Sequence, residues 1–127
     1  MPVARPLSPH LQIYRPELTS VLSILHRATG VFLCLGLALL IYWVVAIASG
    51  PECYASFARI AGSWFGALVL LGFAFSLLFH LANGVRHLVW DLGRGLDLPT
   101  SAASGWTVVA VAALGTGLVA IRLFGGA

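Results

Sequence analysis

Apolar residues dominate three stretches of the chain: Ala28 to Ser49, Ile60 to Ala82 and Leu98 to Ile121. Roughly 20 apolar residues, rising 1.5 Å each in a helix, cover the ~30 Å hydrocarbon core of a bilayer. Each stretch is therefore long enough to span a membrane. Gly50 and Pro51 close the first, and GRGLDLPTSAASG, rich in turn formers and helix breakers, separates the second from the third. The pattern predicts an all-α membrane protein, a single domain over residues 1–127, with helices at about 20–49, 60–90 and 101–123. Residues 1–18, with prolines at 2, 6, 9 and 16, read as an arm outside the bilayer. The first span begins too late, and lacks the small-residue cleavage site, for a secretory signal.

Composition agrees with this class: 60% of the residues are hydrophobic and 9% charged, where a soluble domain has about 25% charged. The seven cationic side chains are all arginine. Arg5, Arg15, Arg27, Arg86 and Arg94 fall on the side of the N-terminus, Arg59 and Arg122 on the other. That bias predicts a cytoplasmic N-terminus. The net charge of +3 then reflects topology, and no basic cluster points to nucleic acid. Cys34 lies inside the first span and Cys53 in the loop after it, so a disulfide between them is not expected.

Polar groups inside a membrane normally face a bundle interior or a cofactor. Three helices make only a thin bundle, so a partner subunit is expected, and glycines in the spans (Gly36, Gly66, Gly72, Gly115, Gly117) would let helices approach closely. Ser23, His26 and Arg27 stand at i, i+3 and i+4 and form one stripe on the opening turns of the first helix. Arg27 lies about 18 Å and His80 about 12 Å from the middle of their runs, at 1.5 Å per residue. Both belong to the same interface, on neighbouring antiparallel helices.

An imidazole held there suits an axial haem ligand, with Asn83 nearby and Gly84 one turn on leaving room for a flat macrocycle. His26 and Arg27 would then be donors for the haem propionates. A lone intramembrane histidine also serves as an interhelical hydrogen-bonding group, and spacing alone does not separate the two readings. His87 follows His80 at a rise of about 10.5 Å, too short for two haems stacked along one helix pair. The pairing expected of His87 is with Asp91 at i+4, near the helix end and close to Arg94, with a haem-edge or propionate contact as the alternative.

The order RPLSPHLQIY, SILHRATG and HLANGVRHLVWDLG resembles the cytochrome b membrane-anchor subunit of succinate dehydrogenase, respiratory complex II, over the N-terminal two thirds of the chain. The third helix matches in length and hydrophobicity. The arm is similar to the alphaproteobacterial and mitochondrial branch, and no organelle-targeting extension precedes it, which favours a bacterial plasma membrane. The resemblance implies that His80 ligates haem b, with the second ligand from another small anchor subunit. It also implies that Ser23 and Arg27 bind ubiquinone and that His26 contacts a propionate. FAD and iron-sulfur clusters would sit on a flavoprotein and an iron-sulfur subunit, since this chain has neither a G-x-G-x-x-G turn nor a cysteine cluster. A hydroxyl and a fixed guanidinium suit a quinone oxygen on which charge builds during reduction. The alternatives are the anchor of a fumarate reductase or another respiratory complex, and a haem-free structural anchor. A transporter fits less well, because the polar residues crowd one interface rather than the bilayer centre. The N-terminal arm, with His10 and Tyr14 beside Arg5 and Arg15, is expected to dock on the iron-sulfur subunit.

Overall fold

The computed structural model describes residues 15–125. The expected docking arm therefore falls almost wholly outside the described residues. Four helices follow one another: α1 (Leu18–Ala48), α2 (Pro51–Ala61), α3 (Trp64–Asp91) and α4 (Leu98–Phe124). The three long ones, of 31, 28 and 27 residues, are apolar enough to cross a membrane. They match the three predicted spans.

The helix α2 was not expected, and the second apolar run does not begin where its hydrophobicity does. Pro51, whose ring presets a helical φ and whose missing N–H costs nothing in a first turn, starts α2 directly after Gly50. Gly62 then caps α2, and Ser63 in an extended conformation caps α3, its hydroxyl oxygen accepting from the Gly66 N–H at 3.1 Å. Ile60 thus belongs to α2, and the membrane helix starts at Trp64. Gly66 has to be small here, because a Cβ would stand 2.3 Å from the Ile60 carbonyl oxygen.

The turn from α3 to α4 uses Gly93 and Gly95, at φ 72° and 69°, a region L side chains rarely adopt. The Trp90 indole N–H donates to the Gly95 carbonyl at 2.9 Å and ties the turn to α3. Asp97 caps α4, its carboxylate accepting from the Thr100 N–H at 2.9 Å. The LPTSAASG part of the expected linker is therefore already helical.

α3 packs along both α4 and α1, most extensively on α4. The shared core is Leu22 from α1, Phe79 from α3, and Val108 and Ala112 from α4. Gly105 admits the Leu22 side chain, and Gly115 admits Leu78, each to within 3 Å of where a Cβ would be. Most other large apolar side chains of the spans are exposed, as suits surfaces that meet lipid or other helices. Cys34 and Cys53 are both free and exposed.

Candidate functional site: a histidine cluster at one end of the bundle

The start of α1 and the end of α3 come together, and with them three histidines. The His26 and His80 rings stack face to face, centroids 3.9 Å apart and planes 9° from parallel. The His87 ring lies 5.4 Å from that of His26, tilted by 51°. All three are half-buried. The stripe read from the sequence therefore does meet His80, through His26.

His80 is held at one nitrogen. Its Nδ1 lies 3.1 Å from the His26 carbonyl oxygen and 3.3 Å from the Thr29 hydroxyl. A carbonyl can only accept, so Nδ1 carries the proton and Nε2 keeps its lone pair free. Thr29, buried, also bonds the Leu25 and His26 carbonyls at 2.9 Å each, which fixes its hydroxyl against the ring. Gly30 completes the seat: a Cβ there would stand 3.0 Å from His80 Cε1. Thr29 was not singled out in the sequence, and Gly30 only as the last residue of the SILHRATG stretch. The visible signal was their place three and four residues beyond His26, on the helix face that meets α3.

His26 presents the complementary feature. Its Nδ1 is the one buried side-chain polar atom among the described residues with no hydrogen-bond partner. A buried polar atom without a partner costs free energy unless something bound satisfies it. Gly84 sits beside this ring, where a Cβ would make only one contact, at 3.9 Å from His26 Cε1. It faces His26, not His80.

The expected pairing of His87 with Asp91 is not found. His87 turns inward instead, with Nε2 3.4 Å from the Asn83 amide nitrogen and its ring edge-on to Trp90. Asn83, fully buried, offers a dry hydrogen bond, whereas Asp91 stands exposed at the helix end where water competes. Behind Asn83 stands Arg86, counted above only as a topological charge. It is 6% exposed and packs its guanidinium 3.9 Å over the Trp90 ring.

Ser23 is half-buried and Arg27 exposed. The cluster's hydrogen bonds run through His26, Thr29 and Asn83, so Ser23 and Arg27 border it without joining it. A cavity of about 640 Å³ between α1 and α3 and under α2 is lined by Leu33, Leu40, Trp43, Phe57 and Phe73 among others. No histidine, serine or arginine lines it, so the polar chemistry lies elsewhere. Among the described residues no three His, Cys, Asp or Glu side chains gather as a complete metal site.

The chain is thus a helical membrane protein with a histidine cluster at one end of its bundle, in which the His80 ring is held through Nδ1. It belongs to the family of succinate dehydrogenase/fumarate reductase transmembrane subunits, whose profile matches residues 1–119 and so reaches well into α4, beyond the motifs quoted above. It is 38% identical over 115 residues to the succinate dehydrogenase cytochrome b556 subunit of Rickettsia prowazekii, covering 91% of this chain and 90% of the relative. With the cytochrome b556 subunit of Paracoccus denitrificans it shares 40% over 106 residues, 84% of this chain and 82% of the relative. The mitochondrial cytochrome b560 subunit of Sus scrofa is 37% identical over 120 residues, 92% of this chain and 71% of the relative. These relatives are subunits of an enzyme, and the bacterial ones point to the bacterial inner membrane.

Proposed function

We propose that this chain is the cytochrome b anchor of a succinate:ubiquinone oxidoreductase, with His80 as the residue of this chain that would ligate haem b. The observation that supports this most directly is the His80 Nδ1–H bond to the His26 carbonyl. Iron-ligating histidines commonly donate their other N–H to a carbonyl or carboxylate, which fixes the ring and leaves the ligating nitrogen basic. The orphaned Nδ1 of His26 fits the same group, as a donor to a propionate oxygen. Haem held there would accept and return single electrons.

A second ligand would come from another chain in this reading, because the His26 ring is taken up by its stack on His80 at 3.9 Å. A second small anchor subunit would supply it, while the flavoprotein and iron-sulfur subunits would oxidise succinate and deliver electrons to the membrane.

Ser23 and Arg27 border the cluster on the opening turns of α1, and in this reading they form the ubiquinone edge. Reduction of the quinone takes two electrons and two protons. The exposed Arg27 guanidinium would hold a carbonyl oxygen as negative charge gathers on it. The Ser23 hydroxyl donates to the same oxygen and keeps the ring in register. The arginine distribution supports reading this end of the bundle, with the N-terminus, as the cytoplasmic one. The N-terminal arm would then meet the iron-sulfur subunit.

The test is a dithionite-reduced minus oxidised absorbance spectrum of the purified complex with His80→Ala. The b-type bands should be lost or strongly weakened while the subunits still co-purify, because three apolar helices do not depend on one imidazole to fold. Unchanged bands in an assembled complex would move the ligand to another histidine.

A further inference from the structure

Arg86 is a cation buried among neutral groups. Nε donates to the Ser104 hydroxyl at 3.0 Å, Nη1 to Asn83 Oδ1 at 3.3 Å, and Nη2 to the Ser101 carbonyl at 3.0 Å and hydroxyl at 3.2 Å. A guanidinium has five N–H groups, so four are used inside the chain and one is left. One spare donor, with the ring of Trp90 stacked across one face, makes a poor anion trap. What the arrangement does instead is orient Asn83.

Arginine can only donate, so the Asn83 atom that faces it must be the carbonyl oxygen. The other end of the amide is then an NH₂ group, and it stands 3.4 Å from His87 Nε2. An NH₂ group needs an acceptor. Nε2 of His87 must therefore be unprotonated, and the ring proton sits on Nδ1.

We propose that Arg86 and Asn83 are positioning residues that lock His87 in its Nδ1–H tautomer and, by occupying Nε2, withhold it from iron. The two neighbouring histidines of α3 carry the same tautomer for opposite ends. In His80 the Nδ1 proton is spent on the His26 carbonyl, which leaves Nε2 open to a metal. In His87 Nε2 is spent on Asn83, which leaves the Nδ1–H as a hydrogen-bond donor for an oxygen of whatever occupies the site. The Ser101 and Ser104 anchors make α4, which contributes no histidine, the element that sets this choice.

Only the statement about iron rests on the haem reading above; the tautomer does not. The experiment is ¹⁵N nuclear magnetic resonance of the intact complex in lipid, labelled at histidine and reduced with dithionite so that a six-coordinate haem is diamagnetic. His87→Gln assigns the resonances. Wild type should show His87 with a protonated Nδ1 and an unprotonated Nε2. Asn83→Asp keeps the shape and the acceptor for Arg86 but offers His87 an oxygen in place of an N–H, so the pattern should invert to Nε2–H. Asn83→Leu, which adds no charge, should release the lock and give both tautomers, and it serves where the aspartate variant does not assemble.

A wild-type His87 with its proton on Nε2 overturns the proposal. So does an Nδ1–H pattern that survives unchanged in either assembled Asn83 variant, since a merely structural Asn83 would leave the tautomer alone. Failure of the haem reading looks different: the b-type bands would persist in His80→Ala while His87 still showed Nδ1–H.

Discussion

Substituting Gly30 by alanine should loosen the haem without weakening the helix that carries it. An added Cβ would stand 3.0 Å from His80 Cε1. That is tighter than carbon atoms ordinarily pack, so the ring has to give by a few tenths of an ångström. His80 Nδ1 now sits 3.1 Å from the His26 carbonyl, and a retreat of that size stretches and weakens this hydrogen bond, so the loss is at most that of the whole bond. One net hydrogen bond is worth about 0.5–1.5 kcal/mol, or about two- to twelvefold in the population of correctly held ligand. Alanine is the better helix former by about 1 kcal/mol, so any loss cannot be charged to α1 itself. The assay is haem per complex after detergent washing, from the reduced-minus-oxidised spectrum, against Gly117→Ala as the control. A Cβ at Gly117 meets nothing within 4 Å. Full haem retention and an unshifted band in Gly30→Ala would refute the seat described for His80. Equal losses in both variants would do the same.

Thr29→Val keeps the shape and removes the hydroxyl 3.3 Å from His80 Nδ1; a partial loss, on the order of a few-fold in haem retention, is expected because the His26 carbonyl remains. Arg27→Ala should lower ubiquinone reduction on the order of 10², with Ser23→Ala losing less because water replaces a neutral hydroxyl. Succinate oxidation with an artificial acceptor should survive in both, and near-normal ubiquinone reduction by an assembled Arg27→Ala complex would make this arginine a lipid anchor instead. At the start of α4, the Thr100 side chain and N–H hydrogen-bond the Asp97 carboxylate and hold its pKa below the ordinary 3.8. A lowered folded-state value means the cap contributes fully above 3.8 and fades as pH falls through the lower value, so acid should lower the thermal midpoint of wild type. Asp97→Asn should remove that component of the slope, which a pair of melting curves at about pH 5 and pH 3 would check.

The long helices were legible because nothing but a membrane span keeps so many apolar residues together, and their register brought His26 and His80 to one level by simple counting of rise. Two things stayed hidden. The break at Gly62 and Ser63 lies inside an apolar run, where hydropathy sees no interruption; only the pairing of a small residue with a serine cap marks it. Arg86 was hidden for the opposite reason. An arginine near a helix end counts as a topological charge, and its burial depends on Ser101 and Ser104, which lie 15 and 18 residues away across a turn. His87 was misread along with it, since the local rule that i and i+4 meet applies equally to Asn83 and Asp91. Burial decided between them, and burial is a property of the tertiary packing.

That packing is uneven, and its distribution bears on function. Along α1 the buried positions are Leu22, Thr29 and Ala46; along α4 they are Ser101, Gly105, Val108 and Ala112. On α3 they include Ser76, Phe79, Asn83 and Arg86. Most therefore gather within a few turns of the histidines, while the opposite half of α1, from Leu35 to Val45, is largely exposed. Phe79 fills the core directly beside His80, and Leu22 directly precedes Ser23. A ligand or hydrogen-bond donor is useful only if held to within a fraction of an ångström, and side chains locked by packing and by a surrounding layer of hydrogen bonds provide that hold. The chain concentrates its internal contacts around the proposed site and leaves its remaining apolar surface for lipid and for neighbouring helices. The buried Arg86 belongs to the same arrangement: its desolvation is a cost, and what it holds in return is a hydrogen-bonded amide beside the His87 ring.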